Sequence, residues 1–428
     1  MRSHVAERQQ LYGSIPQFWH DIYGTEYALL DIKIENRERI GTIRTATERI
    51  GRIFYKTSSL LRQLDDETLL QLGFPKQTLS YLRIKNIPFE SVIARLDLVV
   101  SNQEIKLLEI NSDTPTFIKE TFHVNHHVCQ YFSCDNVNAG YEENLADSIR
   151  HAVQWSLASI GAPRNGKVVF TSHSDHEEDF FTSAYLADLY GEHAECIPIH
   201  ELKIVEEDVV ENGQISIPRG VYTPNLEKID VLYRQTYPIE HLINDEDPTT
   251  SDKVGEILLR LVENKDVAIL NPPSAFLLQS KAIISLIWGL HEEQHEFYSA
   301  DEHEWIETYF LPTYLDEDVF KELDVKYVKK PSFGREGDTV QIFNEKGLLQ
   351  VEDQHQTYAM ELPIYQKYIE LPRYDIVTEE GKKTAHIMYG SFLLNGKSAA
   401  IGIRAGGPIT DNTSYFLPIG YHKREENE

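Results

Sequence analysis

The sequence predicts a mixed fold, part α/β and part α+β, with mixed sheets flanked by helices. Three observations predict it. Strand and helix patterns alternate between about residues 166 and 291. Beyond Val325 the pattern changes to strands and turns. Before about residue 90 it is mostly helical. A chain of 428 residues, 41% of them hydrophobic, is long enough for one large unit or two to three ordinary domains.

Each element has its own signal. "IGTIRTATERIGRIFYKTSSLLRQL" carries apolar residues at helical spacing. "ESVIARLDLVV" and "EIKLLEINSD" are strands, with Ser101-Asn102-Gln103 as the turn of a hairpin. Arg95 and Asp97 are two apart and share a face, as do Glu109 and Asn111. The strands "GKVVFTS", "KIDVLYRQT" and "DVAILNPP" are each followed by a helix: "FFTSAYLADLYG", "TSDKVGEILLRLVEN" and Ser280 to His291. Strands then dominate through "VKYVKKPSFGREGDTVQIF", "LPIYQKYIELPRYD" and "KTAHIMYGSFLLNGKSAAIGIRAGG". No Pro/Gly/Ser-rich linker divides the chain. The expectation is one unit over 1–428 with soft subdivisions at 1–90, 91–324 and 325–428.

Charge and composition narrow the function. The formal net charge of −27 disfavours nucleic acid or an anionic membrane as partner. Any phosphate ligand must be held by local cations or metal, against the global field. No apolar run is long enough to span a bilayer, and the polar start "MRSHVAERQQLYGS" is no signal peptide. Three cysteines without a CxxC pair fit free thiols in a reducing cytoplasm.

Five stretches carry chemistry. In "LLEINSDTPTFIKE" a core strand turns abruptly polar. Asp97, Glu109 and Asn111 gather oxygen donors at the ends of paired strands, which suits a hard cation such as Mg²⁺. Turn-capping Asx and Thr groups would also explain them. "KKPSFGREGDTV" sets Lys329 and Lys330 before Gly334 and Gly337; exposed amides there could form an anion nest, or an ordinary hairpin turn. Lys281 opens a helix, where a cation opposes the helix dipole unless an anion is present. "IYQKYIELP" is an adenine hinge or a plain strand. Arg404 in "AIGIRAGG" suits transferring phosphoryl oxygens, or a structural ion pair.

"HEEQH", residues 291–295, matches HExxH. On one helical face His291 and His295 would bind zinc, with Glu292 as base. The surrounding "EEQHEFYSADEHEW" instead suggests a solvated, acidic helix end. The clusters "TFHVNHH" and "SHSDHEED" are weaker still, the second being a helix cap.

Together the motifs resemble the glutathionylspermidine synthase family. "RLD" at Arg95–Asp97 and "EINSDTPT" at Glu109–Thr116 are similar to its RxD…ExNxD[ST]x[ST] pattern. The Lys281 helix with Trp288, "KKPSFGREG", "IYQKYIELP" and "IGIRAGG" follow in the family's order, over about residues 15–420. The resemblance implies an ATP-grasp fold in permuted order, with a mobile phosphate lid at Gly334–Gly337. It implies an ATP-dependent acid–amine ligase working through an acyl phosphate. Asp97, Glu109 and Asn111 would hold one or two Mg²⁺ ions. Arg95, Thr114 and Thr116 would face the acid, and Arg95 and Asp97 would also border ATP. Lys281 and Lys330 would grip phosphates. Gln366, Lys367, Tyr368 and Ile369 would bind adenine, with Met388 and Ile409 beside them, and Arg404 would act in catalysis. A polar residue would be the easier expectation at position 388. The separate Cys-dependent amidase domain of bifunctional members has no counterpart here. The implied partners are a small-molecule acid, such as glutathione or another peptide, and an amine, such as a polyamine. The alternatives are a nucleotide-binding homologue without catalysis and the HExxH zinc hydrolase.

Overall fold

The computed structural model describes residues 3–191, 194–335, 337–411 and 413–423. Helix α1 (Arg37–Leu61) starts at Asn36, whose side chain accepts the N–H of Arg39. It buries Ile40, Ile43, Ile50, Ile53 and Phe54. Strands β1 (Ile93–Val100) and β2 (Ile105–Asn111) form the expected hairpin. Its turn is closed by Ser101 Oγ, which accepts the N–H groups of Gln103 and Glu104. The alternating region follows: α2 (Tyr141–Ile160), β3 (Val168–Ser172), α3 (Glu177–Tyr190), β4 (Ala194–Pro198), β5 (Val231–Gln235), α4 (Val254–Glu263), β6 (Ala268–Leu270) and α5 (Ala282–Glu292). After α6 (Ala300–Tyr309) come the strands of the last third. These are β7 (Thr313–Tyr314), β8 (Tyr327–Pro331), β9 (Gln341–Phe343), β10 (Leu349–Glu352), β11 (Pro363–Lys367), β12 (Arg373–Thr378), β13 (Gly381–Leu394), β14 (Lys397–Gly406) and β15 (Tyr415–Leu417).

Three sheets frame the site. One is parallel, in the order β6-β5-β3-β4. Every residue of β3 and β5 is buried, the apolar first halves and the polar ends alike. The second is antiparallel, β7-β11-β8-β9-β10. The third runs β15-β14-β13-β1-β2, with β12 also on β13. Here the early hairpin joins strands more than 250 residues later: Asp97 pairs with Gly390, and Met388 with Arg404. The N-terminal part is not purely helical. Lys33–Ile34 pairs with Ile419–Gly420, in a contact too short for periodicity to reveal.

The polar end of the hairpin is pinned from the parallel sheet. Asn271, just past β6, accepts the N–H groups of Val92 and Ile93 at 2.9 and 3.1 Å. Its amide nitrogen donates to the carbonyls of Ile93 and Asp113 at 3.0 and 2.7 Å. Gln279 Oε1 accepts Ser112 N–H at 2.9 Å. All these groups are buried, and each would be costly to leave unpaired. Among the described residues no helix is long and apolar enough to cross a membrane. All three cysteines are free.

Candidate active site

The register of the hairpin puts four polar side chains on one face, because Arg95 pairs with Asn111 and Asp97 with Glu109. Arg95 donates Nε–H and Nη2–H to the two Asp97 oxygens at 2.7 and 3.0 Å. Its Nη1 reaches the Thr116 hydroxyl at 3.2 Å and carbonyl at 3.0 Å. Asn111 Nδ2 lies 3.3 Å from Asp97 Oδ2 and 3.4 Å from Glu109 Oε1. Gly390 on the neighbouring strand keeps this face uncrowded. A Cβ would stand 3.1 Å from Arg95 Cδ and 3.4 Å from the Phe117 ring.

Lys281 sits immediately before α5, and the anion its position demands is Glu109, 3.4 Å from Nζ. Lys281 also donates to the Gly334 carbonyl at 2.7 Å. Lys330, on β8, donates to Gln366 Oε1 at 2.9 Å and the Leu108 carbonyl at 3.4 Å. Lys329, the other lysine the motif offers, pairs along β8 and does not line the cavity.

Charge coupling follows from this packing. Burial opposes a charge on Glu109, but Lys281, Lys330 and Arg95 prevail and hold it down to about 2. Burial pushes Lys330 down to about 8, with Lys281 adding repulsion and Glu109 opposing. Burial also drives Asp97 upward against the pull of Arg95, and the Glu109 carboxylate adds to the push. Two carboxylates and an amide forced together in this way fit a hard divalent cation: its charge would relieve the repulsion, and oxygen is its preferred donor.

The cavity these groups line has a volume of about 1110 Å³ including its mouth. Apart from Lys329, the residues singled out for the site from the sequence line it: Arg95, Asp97, Glu109, Asn111, Thr114, Thr116, Lys281, Lys330, Gly334, Gly337, Gln366, Lys367, Tyr368, Ile369, Met388, Arg404 and Ile409. Leu108, Val328, Ile342, Ile369, Leu371 and Met388 make an apolar wall. Met388 packs there with Val99 and Leu371. No polar residue is needed at 388, because that position is part of an apolar face. Six cationic side chains line the cavity against three carboxylates, inverting locally the sign of the whole chain.

The structure changes several details. Gln366 does not project freely: it is 1% exposed and is occupied by Lys330 and Thr313. The N–H groups of Lys367 and Tyr368 already donate to the Pro312 and Lys326 carbonyls. Asp113, part of the same polar run, turns away to form a buried pair with Arg234, 2.6 Å at its longer contact. Glu336, inside the expected lid, lies outside the described residues. Gly337 has φ +75°, and a Cβ there would meet Ile409 Cγ2 at 2.7 Å and the Thr410 carbonyl at 2.8 Å. Gly337 therefore lies directly against the 408–410 loop. His291 is not solvated: it is 8% exposed. Helix α5 stops at Glu292 and Gln294 has φ +49°, so His291 and His295 do not share a helical face. His176 stands at the N-cap of α3 but makes no capping bond.

Two residues were missed. Arg335 donates to the Thr114 hydroxyl and, at 3.3 Å, to its carbonyl. Glu240, buried behind it, is pushed up to about 7 by desolvation, with Arg335 pulling the other way. The position of Arg335 between two glycines was a usable signal. Nothing local marks Glu240. Among the described residues Nε of Arg335 and Nε of Arg404 are buried without a partner. Among the described residues Arg404 makes one bond, to the Asp411 carbonyl at 2.7 Å. Guanidinium groups left underused in a cavity are suited to an anionic ligand.

Comparison with known proteins gives a consistent picture. Residues 5–421 match the family described as glutathionylspermidine synthase preATP-grasp. A Haemophilus influenzae protein, provisionally named an acid–amine ligase, is 24% identical over 332 residues, covering 76% of this chain and 73% of that protein. The solved structure of a glutathione synthetase-like effector from Globodera pallida aligns with a TM-score of 0.60 at 11% identity. The alignment covers 98% of this chain and 96% of that one, a likeness of fold.

Proposed function

The chain belongs to the glutathionylspermidine synthase family, and from that premise we propose that it is an ATP-dependent carboxylate–amine ligase. It would work as a single ATP-grasp unit in permuted order, with Gly334–Gly337 as its phosphate lid. The observation that carries the proposal is the cavity in which a carboxylate–amide cluster, three lysines and three arginines converge beside an apolar wall. A triphosphate nucleotide matches that combination: base on the apolar side, phosphates on the cations.

The reaction has two steps. A carboxylate oxygen of the acid attacks the γ-phosphorus of ATP and ADP leaves. The amine nitrogen then attacks the acyl carbon, phosphate departs with that oxygen, and the nitrogen loses a proton. Lys281 and Lys330 hold phosphate oxygens, while Gln366 to Ile369, Met388 and Ile409 border the base. Arg95, Thr114 and Thr116 orient the acid carboxylate. Asp97, Glu109 and Asn111 would hold Mg²⁺, which supplies charge neutralisation at the transferring group. Arg404 follows the negative charge as it spreads over the phosphoryl oxygens. Glutathione or another peptide as acid, and a polyamine as amine, fit this reading. ADP release with Mg²⁺, measured against paired acids and amines, tests it. A homologue that binds ATP but has lost catalysis would give none.

A further inference from the structure

The histidine of α5 that cannot pair with His295 meets another instead. His291 Nδ1 and His303 Nδ1 lie 3.2 Å apart. The outer nitrogens of both rings are committed. His291 Nε2 is 2.9 Å from Glu307 Oε2, a carboxylate oxygen that accepts. His303 Nε2 is 3.2 Å from the His295 carbonyl oxygen, which can only accept. Both Nε2 atoms therefore carry hydrogens, and in two neutral rings both Nδ1 atoms would present lone pairs to each other. Something positive must lie between them: one shared proton or a metal ion. Two nitrogens each about 2.05 Å from a tetrahedral ion stand about 3.3 Å apart, close to the separation found. The outer bonds, a carboxylate on one ring and a carbonyl on the other, are those that fix metal-bound imidazoles in orientation.

A second histidine pair lacks this property. His123 gives its Nδ1–H to Glu142 at 2.8 Å, so its Nε2 can accept from His127 Nε2–H at 3.4 Å. An ordinary hydrogen bond satisfies that pair, and no cation is called for.

We propose that His291 and His303 form a two-histidine site for a divalent transition-metal ion of the zinc, nickel or copper type, in which their Nδ1 atoms are the protein ligands. Among the described residues no group of three or more His, Cys, Asp or Glu side chains surrounds one point, so water completes the coordination. Imidazole nitrogen favours these late metals over Mg²⁺. Both histidines are 8% exposed, and Trp288 and Tyr298 rings lie 5.2 and 5.8 Å from them. The exposed Glu307 side leaves a route in from solvent. The ion would tie the last turn of α5 to α6.

Titration of the full chain with Zn²⁺ alone, in excess Mg²⁺ to occupy the carboxylate cluster and without ATP, tests this. One Zn²⁺ per chain is expected. Binding is expected to vanish in His291→Ala and in His303→Ala, and to persist in His127→Gln. Glu307→Gln is expected to bind at least about tenfold more weakly. Should an alanine variant fail to fold, copper-loaded wild type is expected to show two nitrogen donors by electron paramagnetic resonance. No Zn²⁺ uptake, uptake unchanged in both alanine variants, or oxygen donors alone would overturn the site and leave a proton-sharing pair.

Discussion

Arg404 is tethered by a single carbonyl, with its Nε unpartnered among the described residues, so its guanidinium can be spent on charge that appears during reaction. Arg404→Ala is therefore expected to lower turnover about a hundredfold, on the order of 3 kcal/mol of transition-state stabilisation. ATP affinity should change far less. Lys281→Ala should do the reverse, and calorimetric ATP binding beside steady-state ADP release separates the two. Equal loss of binding and turnover in Arg404→Ala would remove its transition-state role. Lys330 supplies a pH signature. Its ammonium lies at about 8 in the ATP-free protein, and a bound triphosphate would raise it. Binding then takes up a proton above pH 8, so ATP affinity should fall as pH rises through 8 and stay level below it. Lys330→Arg should flatten the dependence; an unchanged profile in that variant would assign it to another group. Glu109 is held at about 2 by Lys281, Lys330 and Arg95. Its folded value lies below the unfolded one, so its stabilisation is full above about pH 4.5 and is lost as pH falls toward 2. Glu109→Gln should abolish Mg²⁺-dependent turnover and cost roughly 2 kcal/mol at pH 7, seen as a lower Tm. Wild-type Tm in that variant would mean the lysines do not depend on it.

The hairpin is the element in which sequence and structure agree most closely. Alternation put Arg95 with Asp97 and Glu109 with Asn111, and a two-residue period leaves no other choice of face. What alternation could not supply was the partner strand, since β13 lies more than 250 residues away and pairing over that span has no local signal. The glycine loop was legible in part. Gly334 and Gly337 stood out, but Arg335 between them was passed over, because its contact with Thr114 exists only in three dimensions. The HExxH match failed for a backbone reason: α5 ends one residue after His291. Gly337 tests the loop as an element. Alanine would be forced into a left-handed conformation at φ +75° and would press on Ile409 and Thr410. The conformation alone costs about 1–2 kcal/mol. Gly337→Ala should weaken ATP binding and open residues 334–337 to limited proteolysis, with a smaller effect on global unfolding. Wild-type ATP affinity in this variant would exclude the loop from nucleotide binding.

Over the whole molecule, charge is the feature that organises the account. A chain of net −27 gathers six cationic side chains around one cavity, two from residues 91–324 and four from residues 325–428. An acidic exterior suits a cationic amine, and a cationic interior suits an anionic co-substrate. Composition revealed the first half of that arrangement. The second half became visible only as five separate motifs, because its members come together between the second and third sheets, with α5 beside them. Substrate identity was not legible, since the pocket for a small acid is defined by shape, and shape is absent from a one-dimensional pattern. The central claim is that this cavity joins an acid to an amine at the expense of ATP. The most direct measurement is Mg²⁺-dependent ADP release across a matrix of acids and amines, with mass spectrometry of the products. The account predicts ADP formation that needs one acid and one amine together, equimolar with an amide product and nearly abolished in Arg404→Ala. Saturable ATP binding with no ADP release for any pair, or ADP release without amide formation, would contradict it.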